Sequence, residues 1–100
     1  MSSEKLNEEA VLTEILTLPG WKLIFGGKLL RTYEFDGFVE AFGFLTSVAL
    51  LAQRMNHHPE FRCVYNKTEF ILMSNDVGGL TERDFKMARE IDKLAEKVKK

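Results

Sequence analysis

A single cysteine, two prolines and no dominant charge sign mark this 100-residue chain. One cysteine excludes a disulfide framework and a four-cysteine zinc site. It also suits a reducing compartment, the cytoplasm by default. Basic and acidic residues nearly cancel, 14 against 15, and the isoelectric point is about 6.1. A chain so balanced has no global field for gripping phosphate backbones, which disfavours direct nucleic-acid binding. No apolar run approaches the roughly 18 residues of a membrane span. Residues 1–10 are polar and partly acidic, unlike a signal or transit peptide. There is no repeat, low-complexity tract or linker, so residues 1–100 read as one domain. A chain this size buries roughly 60–68% of its unfolded surface, enough for one modest core. A functional site is then expected at the surface or between subunits.

What is present reads as seven elements. Residues 1–6 form a loose terminus. Glu8 to Leu16 is a short helix with a weak apolar stripe, ended by Pro19-Gly20. Trp21 to Phe25 reads as a strand with Trp21, Leu23 and Phe25 on one side, and Gly26-Gly27 as a hairpin turn. Lys28 to Phe35 returns, with Leu29, Tyr33 and Phe35 sharing a face. Asp36 is the expected N-cap of a helix from Phe38 to about Asn56. Its stripe is Phe38, Ala41, Phe42, Leu45, Val48, Ala49, Ala52 and Met55, with Phe44, Leu50 and Leu51 lying off it. A surface helix of a monomer needs one apolar face. A second face predicts burial against another subunit, in a homodimer or homotetramer.

Pro59 disfavours helical dihedrals at His58 and so ends the helix. Phe61 to Asn66 and Thr68 to Ser74 are the next strands, and Asn75 to Gly79 a loop. Thr81 caps the last helix, with Asp84 completing an approximate capping box. Phe85, Ala88, Ile91, Ala95 and Val98 form its buried stripe, and Lys97 to Lys100 a basic tail. The order α-β-β-α-β-β-α predicts an α+β domain: a four-stranded antiparallel sheet with helices packed on one face.

The two histidines, His57 and His58, are adjacent and are the only ones. Histidine alone has an unperturbed pKa that permits proton transfer in both directions near neutrality. A helix C-terminus also favours imidazolium, by about 0.3–1 kcal/mol. Surface or capping histidines would produce the same pair. A metal site is disfavoured, since Cys63 is the only soft ligand nearby. Asp76-Val77-Gly78-Gly79 lacks the spacing of a phosphate-cradling loop.

Asn56-His57-His58-Pro59-Glu60-Phe61, Val64-Tyr65-Asn66-Lys67 and Asp76 to Asp84 together resemble the pterin-4a-carbinolamine dehydratases. Phe38 to Thr46, Val48-Ala49-Leu50 and Trp21 ahead of the Gly26-Gly27 turn fit as well, so the resemblance spans roughly residues 20–95. It implies dehydration of 4a-hydroxytetrahydropterin to the quinonoid dihydropterin, a hydro-lyase reaction of pterin recycling that needs neither metal nor organic cofactor. It implies that His57 and His58 are the proton-transfer pair. Asn56, Met73, Ser74, Asn75 and Asp76, together with the two histidines, would contact the pterin. Animal members also serve as dimerisation cofactors of a homeodomain transcription factor, so a transcription-factor partner follows by analogy.

Three departures stand out. Asn75 occupies the place of the family's third histidine, Gln53 that of a glutamate one helical turn before His57, and Phe61 that of an aromatic that is usually tryptophan. Asparagine can hydrogen-bond a pterin but cannot exchange a proton at neutral pH. Gln53 can orient an imidazole without neutralising its charge. The alternative to an active enzyme is therefore a weak or inactive member that binds pterin or acts as a coactivator-like interaction module.

Overall fold

The computed structural model describes residues 4–99. The first three residues of the expected loose terminus, and Lys100 of the basic tail, lie outside them. Seven elements follow the expected order: α1 (Glu8–Ile15), β1 (Lys22–Ile24), β2 (Lys28–Glu34), α2 (Phe38–Met55), β3 (Glu60–Val64), β4 (Lys67–Leu72) and α3 (Glu82–Lys99). The strands form one antiparallel sheet in the order β1-β2-β4-β3. Period-two alternation sorts its faces. Leu29, Tyr33, Thr68, Phe70 and Leu72 point inward and are buried. Thr32, Glu34, Arg62 and Lys67 point outward and are exposed. The helices cover only the inner face, as expected for this α+β domain.

The hairpins differ in detail from the sequence reading. Gly26 and Gly27 take φ of 91° and 69°, the left-handed turn that two glycines allow. The strand before them is only three residues long, and Phe25 stands 99% exposed at its end rather than on the face of Trp21. Tyr65 and Asn66 form a turn instead of continuing β3, with Tyr65 at φ 52°. Asn66 explains the stop. Its carbonyl accepts the Phe35 N–H at 2.8 Å, and its side-chain amide donates to the Phe35 carbonyl at 2.9 Å. The turn is thereby clamped to the end of β2.

Gly37, not Asp36, is the N-cap of α2, and it supplies no side-chain cap. Its core face is Ala41, Phe44, Val48, Leu51 and Ala52. Phe44 and Leu51, which the sequence pattern set aside, are thus core residues, whereas Phe38 and Phe42 are about half exposed and Ala49 is exposed. Phe44 decides the register by packing edge-on to Tyr33 and Phe70, with ring centroids 5.0 and 5.7 Å away. A second apolar face is present, but of Phe44, Leu50 and Leu51, which were expected off the main stripe, only Leu50 lies on it. Phe38, Val39, Phe42 and Leu50 form it, and Phe38 lies against Phe42. At 18 residues and mean hydropathy 1.2, α2 is long and apolar enough to cross a membrane by length and composition alone, contrary to the sequence reading. Five of its 18 residues, Phe44, Val48 and Leu51 among them, are buried in the domain.

Helix α3 is tied to the sheet through Asp92. One of its carboxylate oxygens accepts the Trp21 indole N–H at 3.0 Å, the Arg31 guanidinium at 2.9 Å and the Tyr33 hydroxyl. Burial of Tyr33, reinforced by the adjoining carboxylate, pushes its phenol well above the usual range, so it stays a donor. This cluster lies in a cleft with Pro19, Ala95 and Lys99, apart from both histidines.

Candidate active site

Chain reversal at the end of α2 sets the position of the histidines. Asn56 adopts a left-handed conformation, φ 52° and ψ 44°, which asparagine tolerates better than most residues. The His57 N–H then reaches back to the Ala52 carbonyl at 3.0 Å. Asn56, an expected pterin contact, is therefore the exposed hinge that turns the chain. Pro59 follows and prevents the helix from resuming.

The reversal sends the two histidines to different environments. The His57 ring is buried, with 9% of its side chain exposed, and its Nε2 meets Asp84 Oδ1 at 2.6 Å. The other Asp84 oxygen accepts the Ser74 hydroxyl at 2.8 Å and the Thr81 N–H at 2.9 Å. Ser74 Oγ and Thr81 Oγ1 are 2.9 Å apart, and Thr81 Oγ1 also accepts the Arg83 N–H at 3.2 Å. Since Ser74 spends its proton on Asp84, Thr81 must donate to Ser74. The directions are thus fixed from the Arg83 amide through both hydroxyls to the carboxylate. Ser74, Thr81 and Asp84 are all buried. A carboxylate only accepts, so His57 donates from Nε2 and its Nδ1 is left to give or take a proton. No protein group among the described residues bonds that Nδ1.

His58 is exposed, and its Nε2 lies 3.3 Å from Gln53 Oε1. Gln53 therefore meets His58, not His57 as expected. His58 stands on the rim of an apolar groove of about 510 Å³, whose walls include Phe42, Leu45, Ala49, Pro59 and Phe61. A larger groove, about 690 Å³, lies between α1 and α3 and touches none of the expected site residues.

The second expected segment begins at the buried end of this network. Ser74 and Gly79 pair through backbone bonds that close the turn of residues 75–78. Met73 is half-buried, and Asn75 and Asp76 are exposed in the turn. Asp76 is held by Arg83 Nη2 at 3.0 and 3.2 Å. The structure therefore joins His57 to Ser74 through Asp84 and places Asn75 next in the chain. His58 is exposed and outside this network, near Gln53. The Ser74 hydroxyl is committed inside the protein.

The sequence reading missed Asp84 as a site residue. It gave that carboxylate the capping role alone. That role is present, in its bond to the Thr81 N–H, but the other oxygen serves His57. Only the spacing Thr81-Glu82-Arg83-Asp84 signalled an acid in the first turn of α3. Nothing local marked it as fully buried.

The class is then an α+β domain with a four-stranded antiparallel sheet, bearing a buried carboxylate–histidine pair at the end of its central helix. The family model described as pterin 4 alpha carbinolamine dehydratase matches residues 4–94. A protein of Rhizobium etli, named provisionally as a pterin-4-alpha-carbinolamine dehydratase, is 45% identical over 96 residues, covering 95% of both chains. One from Nitrobacter winogradskyi with the same provisional name is 43% identical over 93 residues and 92% of both chains. Among solved structures, a transcriptional coactivator/pterin dehydratase from Brucella melitensis aligns with TM-score 0.88 and 34% identity, over 92% of this chain and 99% of that one. A pterin dehydratase-like RuBisCO assembly factor of the alpha-carboxysome shares the fold at TM-score 0.67 and 19% identity, over 76% and 89%. The chain belongs to the pterin-4-alpha-carbinolamine dehydratase family.

Proposed function

We propose that this protein dehydrates 4a-hydroxytetrahydropterin to the quinonoid dihydropterin, with His57 and His58 moving the protons. The observation that carries the reading is the bond between His57 Nε2 and buried Asp84, which holds one imidazole in a single tautomer with Nδ1 unbonded among the described residues. The reaction breaks the C4a–O bond, forms C4a=N5 and releases water. One group must protonate the departing hydroxyl and another must take the N5 proton. No electrons change hands, so two imidazoles suffice. Proton transfer by a positioned group contributes about 10²–10⁴-fold.

Asn75 and Asp76, on the turn that follows Ser74, are the proposed contacts for the polar edge of the pterin, together with Met73 and Asn56. Ser74 acts through Asp84, as a positioning residue. With Asn75 in place of a third titratable group, the proposed enzyme binds pterin well and turns it over slowly. The reducing setting suggested by the lone, half-buried Cys63 supports a cytoplasmic location in pterin recycling.

The exposed apolar face of α2 favours an additional interaction role. A second copy of the chain is the proposed occupant, giving a homodimer or homotetramer. A coactivator-like partnership with a transcription factor is the alternative, in line with the name of the Brucella protein. Dehydration assays on the purified protein test the enzymatic reading. Acceleration above the spontaneous rate supports it, and pterin binding without turnover favours the interaction module.

A further inference from the structure

On the side of α2 that faces α3, the last turn of one helix and the first turns of the other enclose a groove of about 500 Å³. Leu51, Arg54 and Met55 line it from α2, and Arg83, Lys86 and Glu90 from α3. Three of these six side chains are cations and one is an anion. Glu90 is engaged by Lys93 at 3.2 Å, outside the lining. Arg54 and Lys86 are exposed and have no ionic partner among the described residues. Among the described residues, Arg83 meets Asp76 through Nη2 alone, and its buried Nε has no acceptor. A buried guanidinium donor without an acceptor is costly. Two of the three cations of this groove, Arg54 and Lys86, are therefore unpaired among the described residues, although the chain as a whole is nearly neutral.

We propose that this groove binds the phosphate groups of a small phosphate-bearing molecule. A carboxylate would offset only one of the two unpaired cations, Arg54 and Lys86. A phosphate ester or polyphosphate carries two or more charges and enough oxygens to engage a planar guanidinium and an ammonium together. Leu51 and Met55 provide an apolar floor for whatever the phosphate is attached to. None of the six lining residues belongs to the proposed proton-transfer or pterin-contact set, so the site stands independently of that reaction. It adjoins it, because Arg83 also holds Asp76 at the turn beside Asn75.

Titration calorimetry at fixed ionic strength tests the proposal, with inorganic pyrophosphate in one arm and a nucleoside triphosphate in the other. Saturable binding of one molecule per chain is expected in at least one arm. Equal affinities would mean that phosphate alone is read, and tighter nucleotide binding that the apolar floor contributes. Arg54→Gln combined with Lys86→Gln should weaken binding by roughly tenfold or more, since each removes a charge-assisted contact. Both positions are exposed, and circular dichroism checks that the fold persists. Independently of any variant, bound pyrophosphate or nucleotide should slow acylation of Lys86 in the native protein. Absence of saturable binding in both arms, or binding that leaves both the variant's affinity and Lys86 reactivity unchanged, would overturn the proposal.

Discussion

Replacing Asp84 by asparagine tests how the buried network prepares His57. The native carboxylate accepts three hydrogen bonds, from His57 Nε2, the Ser74 hydroxyl and the Thr81 N–H. An asparagine offers one accepting oxygen and one donating nitrogen. The Thr81 amide cannot reverse its role, so the oxygen must face Thr81 and Ser74. The new amide nitrogen then points at His57 Nε2, where two donors would collide. His57 alone can adapt, by moving its proton to Nδ1 and accepting at Nε2. The nitrogen left open would change from acceptor to donor. A charged hydrogen bond would become a neutral one, costing about 1–3 kcal/mol of stability. If His57 works as a base, the wrong tautomer should lower turnover by about 10²–10⁴-fold. Pterin affinity should change little, because Asp84 is fully buried. Nitrogen NMR of the imidazole reads the tautomer, urea unfolding the stability and single-turnover dehydration the rate. A folded variant with the proton still on Nε2 and undiminished turnover would refute the reasoning.

His57→Ala and His58→Ala should each lower turnover, with the double variant reduced to a trace in the same assay; unchanged turnover in the double variant would reject both as proton-transfer groups. Asn75→His should raise kcat with little change in KM, the signature of a transition-state interaction gained, when steady-state kinetics are compared with the native chain. Light scattering should give a dimer or tetramer at micromolar concentration, and Phe42→Asp on the exposed face of α2 should shift it toward monomer. Thr68 is fully buried and its hydroxyl has no partner among the described residues, so Thr68→Val should raise stability by about 1 kcal/mol in denaturant unfolding.

Element order and sheet type were legible because strand alternation and helix spacing are local. Leu29, Tyr33 and Phe35 share one face in both the sequence and the structure. The capping box at Thr81 and Asp84 was equally local. The register of α2 was not. Its 18 residues carry apolar side chains almost all round, so spacing alone could not choose between Phe42 and Phe44. Contact of Phe44 with Tyr33 and Phe70, from two different strands, made the choice. The site divides in the same way. The histidines announced themselves by chemistry and by the chain reversal before Pro59. Their separation into a buried and an exposed environment depends on the left-handed turn at Asn56. The carboxylate that holds His57 comes from 27 residues away, across the domain. Gln53 was assigned to the wrong histidine for a related reason: past the end of the helix, spacing no longer predicts which side chains meet.

The most direct measurement is the rate of 4a-hydroxytetrahydropterin dehydration by the purified protein, set against the spontaneous rate and against the His57→Ala, His58→Ala double variant. The account predicts acceleration by the native chain, abolished in a double variant that remains folded. Native protein that binds pterin yet leaves the spontaneous rate unchanged would contradict it.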